Sequence, residues 1–148
     1  MDESHIKILE KNISKPTLRI TEVTDEQIGD SNILIINTVG MLSSLYQYGD
    51  MAYIGGAFRD GVHNILEAVA FGLPVIFGDK NLNKFPETLE LMKLGGAFSI
   101  SNKAQAEDTL VKLLTNEKHL KNTSNICRAY VSERAGATEI IMNHINKR

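Results

Sequence analysis

Short apolar runs alternate with segments of helical period along most of the chain. Thr17-Leu18-Arg19-Ile20-Thr21 has the two-residue alternation of a half-buried strand at a sheet edge. Asn32-Ile33-Leu34-Ile35-Ile36 is continuously apolar, the pattern of a strand covered on both faces. Met51-Ala52-Tyr53-Ile54 and Pro74-Val75-Ile76-Phe77 read in the same way, and Ala97-Phe98-Ser99-Ile100 is a fifth candidate. Between them, Glu3–Asn12, Met41–Tyr48, Ile65–Phe71 and Leu82–Lys93 have the length or period of helices. Beyond residue 102 the pattern is purely helical, over Gln105–Leu114, Glu117–Arg134 and Ala137–Lys147, with apolar positions spaced as in Leu110, Leu113 and Leu114. Strands alternating with helices predict an α/β fold: a Rossmann-like parallel sheet with flanking helices and a helical C-terminal tail. Repeats and low-complexity stretches are absent, and the acidic loop Glu22–Ser31 is too short to link domains. Residues 1–148 therefore read as one domain.

Composition narrows the function classes. A chain of 148 residues, 43% hydrophobic and 23% charged, buries roughly two-thirds of the surface its unfolded form exposes. Sixteen basic against eighteen acidic residues leave a net charge of −2, so no basic field draws nucleic acid or acidic membranes. No run approaches the ~20 apolar residues of a membrane span, and no signal-peptide pattern opens the sequence. The lack of Trp and an aromatic content of 6% argue against a stacking platform for single strands or flat carbohydrate. Cys127 is the single cysteine; it rules out an intrachain disulfide or a cysteine zinc cluster and suits a reducing compartment.

Candidate chemistry concentrates in Ile54-Gly55-Gly56-Ala57-Phe58-Arg59-Asp60-Gly61-Val62-His63-Asn64-Ile65-Leu66-Glu67-Ala68. A strand runs into paired glycines, a short loop and then a helix. Asn64 is a good N-cap with Glu67 in the capping-box position. Gly72 stands where a left-handed residue ends a helix, and Pro74 lies just beyond. Ligands of open parallel sheets bind outside the carboxyl ends of the strands, where helix N-termini offer unpaired N–H groups to a phosphate or carboxylate. Gly55, Gly56 and Gly61 would let a ligand approach the backbone. Asn37-Thr38-Val39-Gly40-Met41 and Gly78-Asp79-Lys80-Asn81 are further strand-to-helix loops of the same kind. Plain structural explanations compete: a cap for Asn64 and Glu67, a tight turn for Gly55-Gly56, a surface position for His63. Clustering within a few residues favours the functional reading.

Those residues resemble the C-terminal nucleotide-binding half of the 3-deoxy-D-manno-octulosonic acid (Kdo) transferases, GT-B-fold glycosyltransferases of lipopolysaccharide synthesis. The resemblance rests on Gly55-Gly56, on His63-Asn64-Ile65-Leu66-Glu67-Ala68 and on Gly72-Leu73-Pro74-Val75-Ile76-Phe77-Gly78. Thr38-Val39-Gly40-Met41-Leu42, Leu45-Tyr46 and Gly49-Asp50 match the preceding stretch in order and spacing. About residues 32–100 are covered, and the tail in pattern. The resemblance implies that this part binds the donor CMP-Kdo, with Glu67 on the nucleotide ribose and His63 and Asn64 beside the donor. Thr38, Val39, Gly40 and Met41, with Gly55, Gly56, Ile65, Leu66 and Gly78, would line nucleotide and phosphate. A single phosphate can be offset by helix-terminus N–H groups, so no cofactor and no metal are expected. The pattern departs from the family at Asn37 and Met41, where acidic residues are usual, at Val62, usually glycine, and at Asp79, often proline.

The same resemblance implies an N-terminal half carrying the catalytic carboxylate and the lipid A precursor, at the cytoplasmic face of the bacterial inner membrane. On this reading residues 1–148 are a donor-binding fragment of a GT-B fold, truncated at the N-terminus, soluble and inactive alone. In the strand order 3-2-1-4-5-6, two missing strands would lie between strands 17–21 and 33–36. An edge left unpaired there predicts self-association or internal closure. Two other functions compete: another GT-B enzyme, such as a UDP-sugar 2-epimerase or UDP-sugar transferase, and a non-catalytic α/β interaction module. His5, His119 and His144 are dispersed, and Lys112, Lys118, Lys121, Arg128 and Arg134 read as a solvated helical face.

Overall fold

The structure, a computed structural model, describes residues 3–58 and 61–146. Arg59 and Asp60 of the glycine-rich loop, and Lys147 at the end of the expected last helix, lie outside the described residues. The chain divides into two compact units, Met1–Leu45 and Tyr46–Arg148.

In the first unit, helix α1 (Glu3–Asn12) precedes strand β1 (Thr17–Arg19), a 3-10 turn over Asp25–Asp30, strand β2 (Ile33–Ile35) and the short helix α2 (Leu42–Leu45). β1 pairs with β2 in parallel, Thr17 opposite Ile33 and Arg19 opposite Ile35. The gap expected between these strands is thus closed internally, because residues 20–32 supply the crossover of about a dozen residues that a parallel pair needs. β2 is not covered on both faces: Ile35 is buried, but Leu34 is 47% exposed. α1 buries Ile6 and reaches β1 through charge. Arg19 Nε and Nη2 donate to the two Glu10 oxygens at 2.6 and 2.7 Å, and Nη1 donates to Glu3 at 2.8 Å.

The second unit begins with a 3-10 turn over Tyr46–Tyr48 and strand β3 (Ala52–Ile54). Helix α3 (Leu66–Ala70), strand β4 (Val75–Gly78), helix α4 (Pro86–Leu94) and strand β5 (Ala97–Ile100) follow, and then α5 (Lys103–Thr115), α6 (Glu117–Arg134) and α7 (Ala137–Ile145). The strands form a parallel sheet in the order β3-β4-β5. The α/β class with parallel strands and flanking helices is therefore observed, but as two sheets rather than one. Central β4 is buried throughout, and its alternating side chains feed two cores. Val75 and Phe77 pack with Ile54, Ile65, Val69, Leu91 and Cys127, whereas Ile76 packs with Ile100 and Leu113.

Two expected helices are shorter than their apolar pattern. The segment 82–93 splits into a 3-10 turn over Leu82–Lys84 and α4, which starts at Pro86. Proline presets the helical φ and its missing N–H costs nothing at a first position. The segment 41–48 divides into α2 and the 3-10 turn. Helix α3 ends as its punctuation predicts. Gly72 has φ +77°, its N–H donates to the Val69 carbonyl at 2.8 Å, and the Leu73 N–H donates to Ala68 at 3.3 Å, a Schellman closure. Ser124 of α6 donates to the Gly72 carbonyl at 2.7 Å, tying α6 to this turn.

Candidate functional site

The loop after β3 is folded back on itself. The Gly55 carbonyl accepts from the His63 N–H at 3.3 Å, and the Ala57 carbonyl accepts from the Lys80 N–H of the loop after β4 at 3.0 Å. Gly56 and Gly61 have φ of +93° and +121°, a backbone region that side chains disfavour. A Cβ on Gly56 would lie 2.5 Å from the Gly61 carbonyl oxygen and 2.9 Å from the His63 ring. On Gly61 it would meet the Phe85 ring at 2.9 Å, and on Gly78 the Ala57 backbone at 2.9 Å. At these three glycines the space a side chain would need is taken by the protein's own chain. Gly55 differs, because a Cβ there meets nothing within 4 Å. It is the open glycine of the set.

The imidazole of His63 therefore sits on Gly56, and it is exposed. Asn64 divides its side chain between two tasks: Oδ1 accepts from the Leu66 N–H at 3.1 Å, and Nδ2 donates to Glu67 Oε1 at 3.0 Å. The expected capping box is thus altered. Glu67 bonds the Asn64 side chain rather than its backbone, and the Leu66 amide is already occupied. Ile65 has a helical backbone and its side chain is buried in the main core, so it can offer a ligand only main-chain atoms. Leu66 and Glu67 are exposed. Gly55, Gly56, His63, Asn64, Ile65, Leu66, Glu67 and Gly78 all belong to the second unit.

Thr38, Val39, Gly40 and Met41 belong to the first unit, on an exposed turn after β2. Gly40 has φ +89°, Val39 is 94% exposed, and Thr38 Oγ1 donates to Met41 Sδ at 2.9 Å. Asn37 at the head of this turn donates to Thr21 Oγ1 at 2.8 Å, while its buried Oδ1 has no partner among the described residues.

Two further residues make contacts in the second unit. Asp79 Oδ2 accepts from Ser101 Oγ at 2.5 Å, joining the loop after β4 to the end of β5. Tyr46 packs against Phe71 with ring centroids 6.3 Å apart; burial raises its phenol pKa, and the Glu67 charge raises it further. Among the described residues no group of three or more His, Cys, Asp or Glu side chains is placed to hold a metal ion. No helix among them is long and apolar enough to cross a membrane.

Parallel strands with flanking helices and glycine-bearing loops at the strands' carboxyl ends define a Rossmann-like α/β domain. No family model matches the chain. In sequence it is similar to the 3-deoxy-D-manno-octulosonic acid transferase of Aquifex aeolicus, 34% identical over 95 residues, which is 62% of this chain and 26% of that protein. The enzyme of the same name from Bordetella pertussis is 32% identical over 108 residues, 72% of this chain and 25% of the relative. Among solved structures, the C-terminal CMP-Kdo binding domain of WaaA from Acinetobacter baumannii superposes with a TM-score of 0.73. It shares 16% identity, over 86% of this chain and 67% of that domain. The chain is similar in sequence to the Kdo transferases and shares the fold of the C-terminal domain of WaaA. It spans about a quarter of the length of the curated relatives it matches.

Proposed function

We propose that this chain is the donor-binding part of a glycosyltransferase that moves Kdo from CMP-Kdo to a lipid A precursor. The observation that carries the reading is the Glu67 carboxylate. It is exposed on the first turn of α3, held through Oε1 by Asn64, with Oε2 unpartnered among the described residues. A carboxylate held in this way accepts hydrogen bonds and donates none, the chemistry that vicinal ribose hydroxyls require. The relatives' shared name and the fold of the CMP-Kdo binding domain support the choice of nucleotide and sugar.

In this mechanism the chain binds and orients rather than cleaves. Glu67 accepts from the ribose. The surface opened by Gly55, with His63 and the exposed start of α3, receives the single phosphate, whose charge the helix N-terminus favours. A further N-terminal half supplies the general base for the acceptor hydroxyl, and the lipid acceptor sets the whole enzyme at the cytoplasmic face of the inner membrane. One phosphate held by amides calls for no metal or cofactor.

Titrating the ¹⁵N-labelled chain with CMP and, separately, UDP tests the reading. CMP should shift the amides of Gly55 and of residues 63–67 at concentrations where UDP does not. Glu67→Gln should weaken CMP by at least about tenfold, the loss of hydrogen bonds to a charged acceptor. Preference for UDP would move the chain to another GT-B activity, and silence towards both nucleotides would leave an α/β interaction module.

A further inference from the structure

At the amino ends of β3 and β4, opposite the candidate donor site, a cavity of about 330 Å³ opens between the turns entering the two strands and α6. Its walls are fixed. Gly72 and Leu73 are buried, Ser124 Oγ donates to the Gly72 carbonyl at 2.7 Å, and the Gly49 N–H donates to the Tyr46 carbonyl at 3.1 Å. Arg128 lies across the Gly72 turn: a Cβ on Gly72 would stand 2.6 Å from Arg128 Cγ and 3.0 Å from Cδ. The glycine thus lets the arginine stem rest on the turn, which sets the guanidinium at the cavity. Lys121 lines the same wall, so the solvated face expected for Lys121 and Arg128 is one side of this opening. Asp50 and Glu117 line it with them. Two cations and two carboxylates share one cavity, yet none of the four has a hydrogen bond or ion pair among the described residues. Glu117 and Lys121 are four apart on α6 with the glutamate first, the order that pairs most readily on a helix, and they too stay apart.

We propose that this cavity binds a zwitterion of the phosphoethanolamine type, its phosphate on Arg128 and Lys121 and its ammonium on Asp50 and Glu117. A guanidinium fork meets phosphate oxygens with two parallel hydrogen bonds, and a carboxylate accepts from an ammonium that only donates. A simple anion would face the two carboxylates as like charges, and a simple cation would face the two basic groups. A ligand carrying both signs satisfies all four. The volume is that of a small-ligand site. The same headgroup chemistry occurs free in solution and on a lipid surface. Glu67 and the donor reading play no part in the inference.

Titrating the ¹⁵N-labelled chain with free phosphoethanolamine, inorganic phosphate and ethanolamine tests it. Phosphoethanolamine should shift the amides of Asp50, Gly72 and Ser124 and leave those of residues 63–67 in place. Either half alone should bind at least about tenfold more weakly, and Arg128→Gln should weaken phosphoethanolamine by about tenfold. Sedimentation with phosphatidylcholine vesicles, with and without phosphatidylethanolamine, separates the two sources. Retention that needs the ethanolamine lipid assigns a headgroup, and its absence, with the free compound bound, assigns a soluble ligand. Phosphate or ethanolamine binding as tightly as phosphoethanolamine, silence towards both the free compound and the vesicles, or shifts that survive in Arg128→Gln overturn the inference. None of these outcomes bears on the donor reading, which stands or falls on CMP.

Discussion

At the scale of single residues, adjacent glycines carry opposite expectations. Gly56→Ala forces a side chain into φ +93° and against the Gly61 carbonyl oxygen. It should cost roughly 1–3 kcal/mol from the backbone alone, seen as a lower urea midpoint. Gly55→Ala meets open space, so its stability should change by no more than about 0.5 kcal/mol while CMP binding weakens, because the methyl stands in the proposed opening. If both changes destabilise equally, Gly55 is a turn residue only. Cys127 makes a different point. It is buried against Gly96, whose carbonyl accepts from the thiol at 3.3 Å, and burial pushes its pKa up to about 11. At pH 8 roughly one thiol in a thousand is then ionised. A thiol reagent should react only as fast as the chain unfolds, and rapid native-state labelling would contradict this packing.

At the scale of elements, the start of α3 joins folding to the proposed chemistry through one side chain. Asn64→Ala removes the acceptor of the Leu66 amide and the donor to Glu67 together. The thermal midpoint should drop by the equivalent of about 1 kcal/mol, as for other lost caps. CMP affinity should fall as well, because Glu67 loses its anchor. Helix α1 offers a pH test. Hydrogen bonding to Arg19 holds the Glu10 carboxyl below its ordinary range. A depressed native pKa means that the pair steadies α1 above the ordinary carboxylate value, near 4.3, and that this support is lost as pH falls through the lowered value. Amide exchange in α1 should accelerate in that acid window, and Arg19→Gln should remove the dependence. Much of this scale was legible beforehand. α6 begins and ends where its period predicts, and β5 likewise. The helical segments that split, before Pro86 and at Tyr46, did so where an apolar period runs across a proline or into a 3-10 turn.

At the scale of the whole molecule, the two units have unequal cores. Among the described residues, Ile6 and Ile35 are the buried apolar side chains of the first unit, and the remaining ones lie in the second. Local stability follows buried contacts, so the β1–β2 amides should exchange well before those of β4. Equal protection in the two sheets would refute this. α7 has no buried side chain, and its Ile140 is 72% exposed. That surface, with the exposed Leu34 of β2, keeps the expected self-association open, and sedimentation over a range of concentrations decides it.

The amino-acid order by itself determined the alternation of strands and helices, the punctuation of α3 at Asn64 and Gly72, and the resemblance to the Kdo transferases. Each is written in residues close together along the chain, where period, cap and turn chemistry act. Only the tertiary structure decided that β1 closes directly on β2, and that Gly56, Gly61 and Gly78 make room for the protein's own backbone and rings. It alone placed the Tyr46 ring against Phe71. These depend on which atoms, remote in sequence, come within a few ångströms, and a local pattern holds no record of that distance.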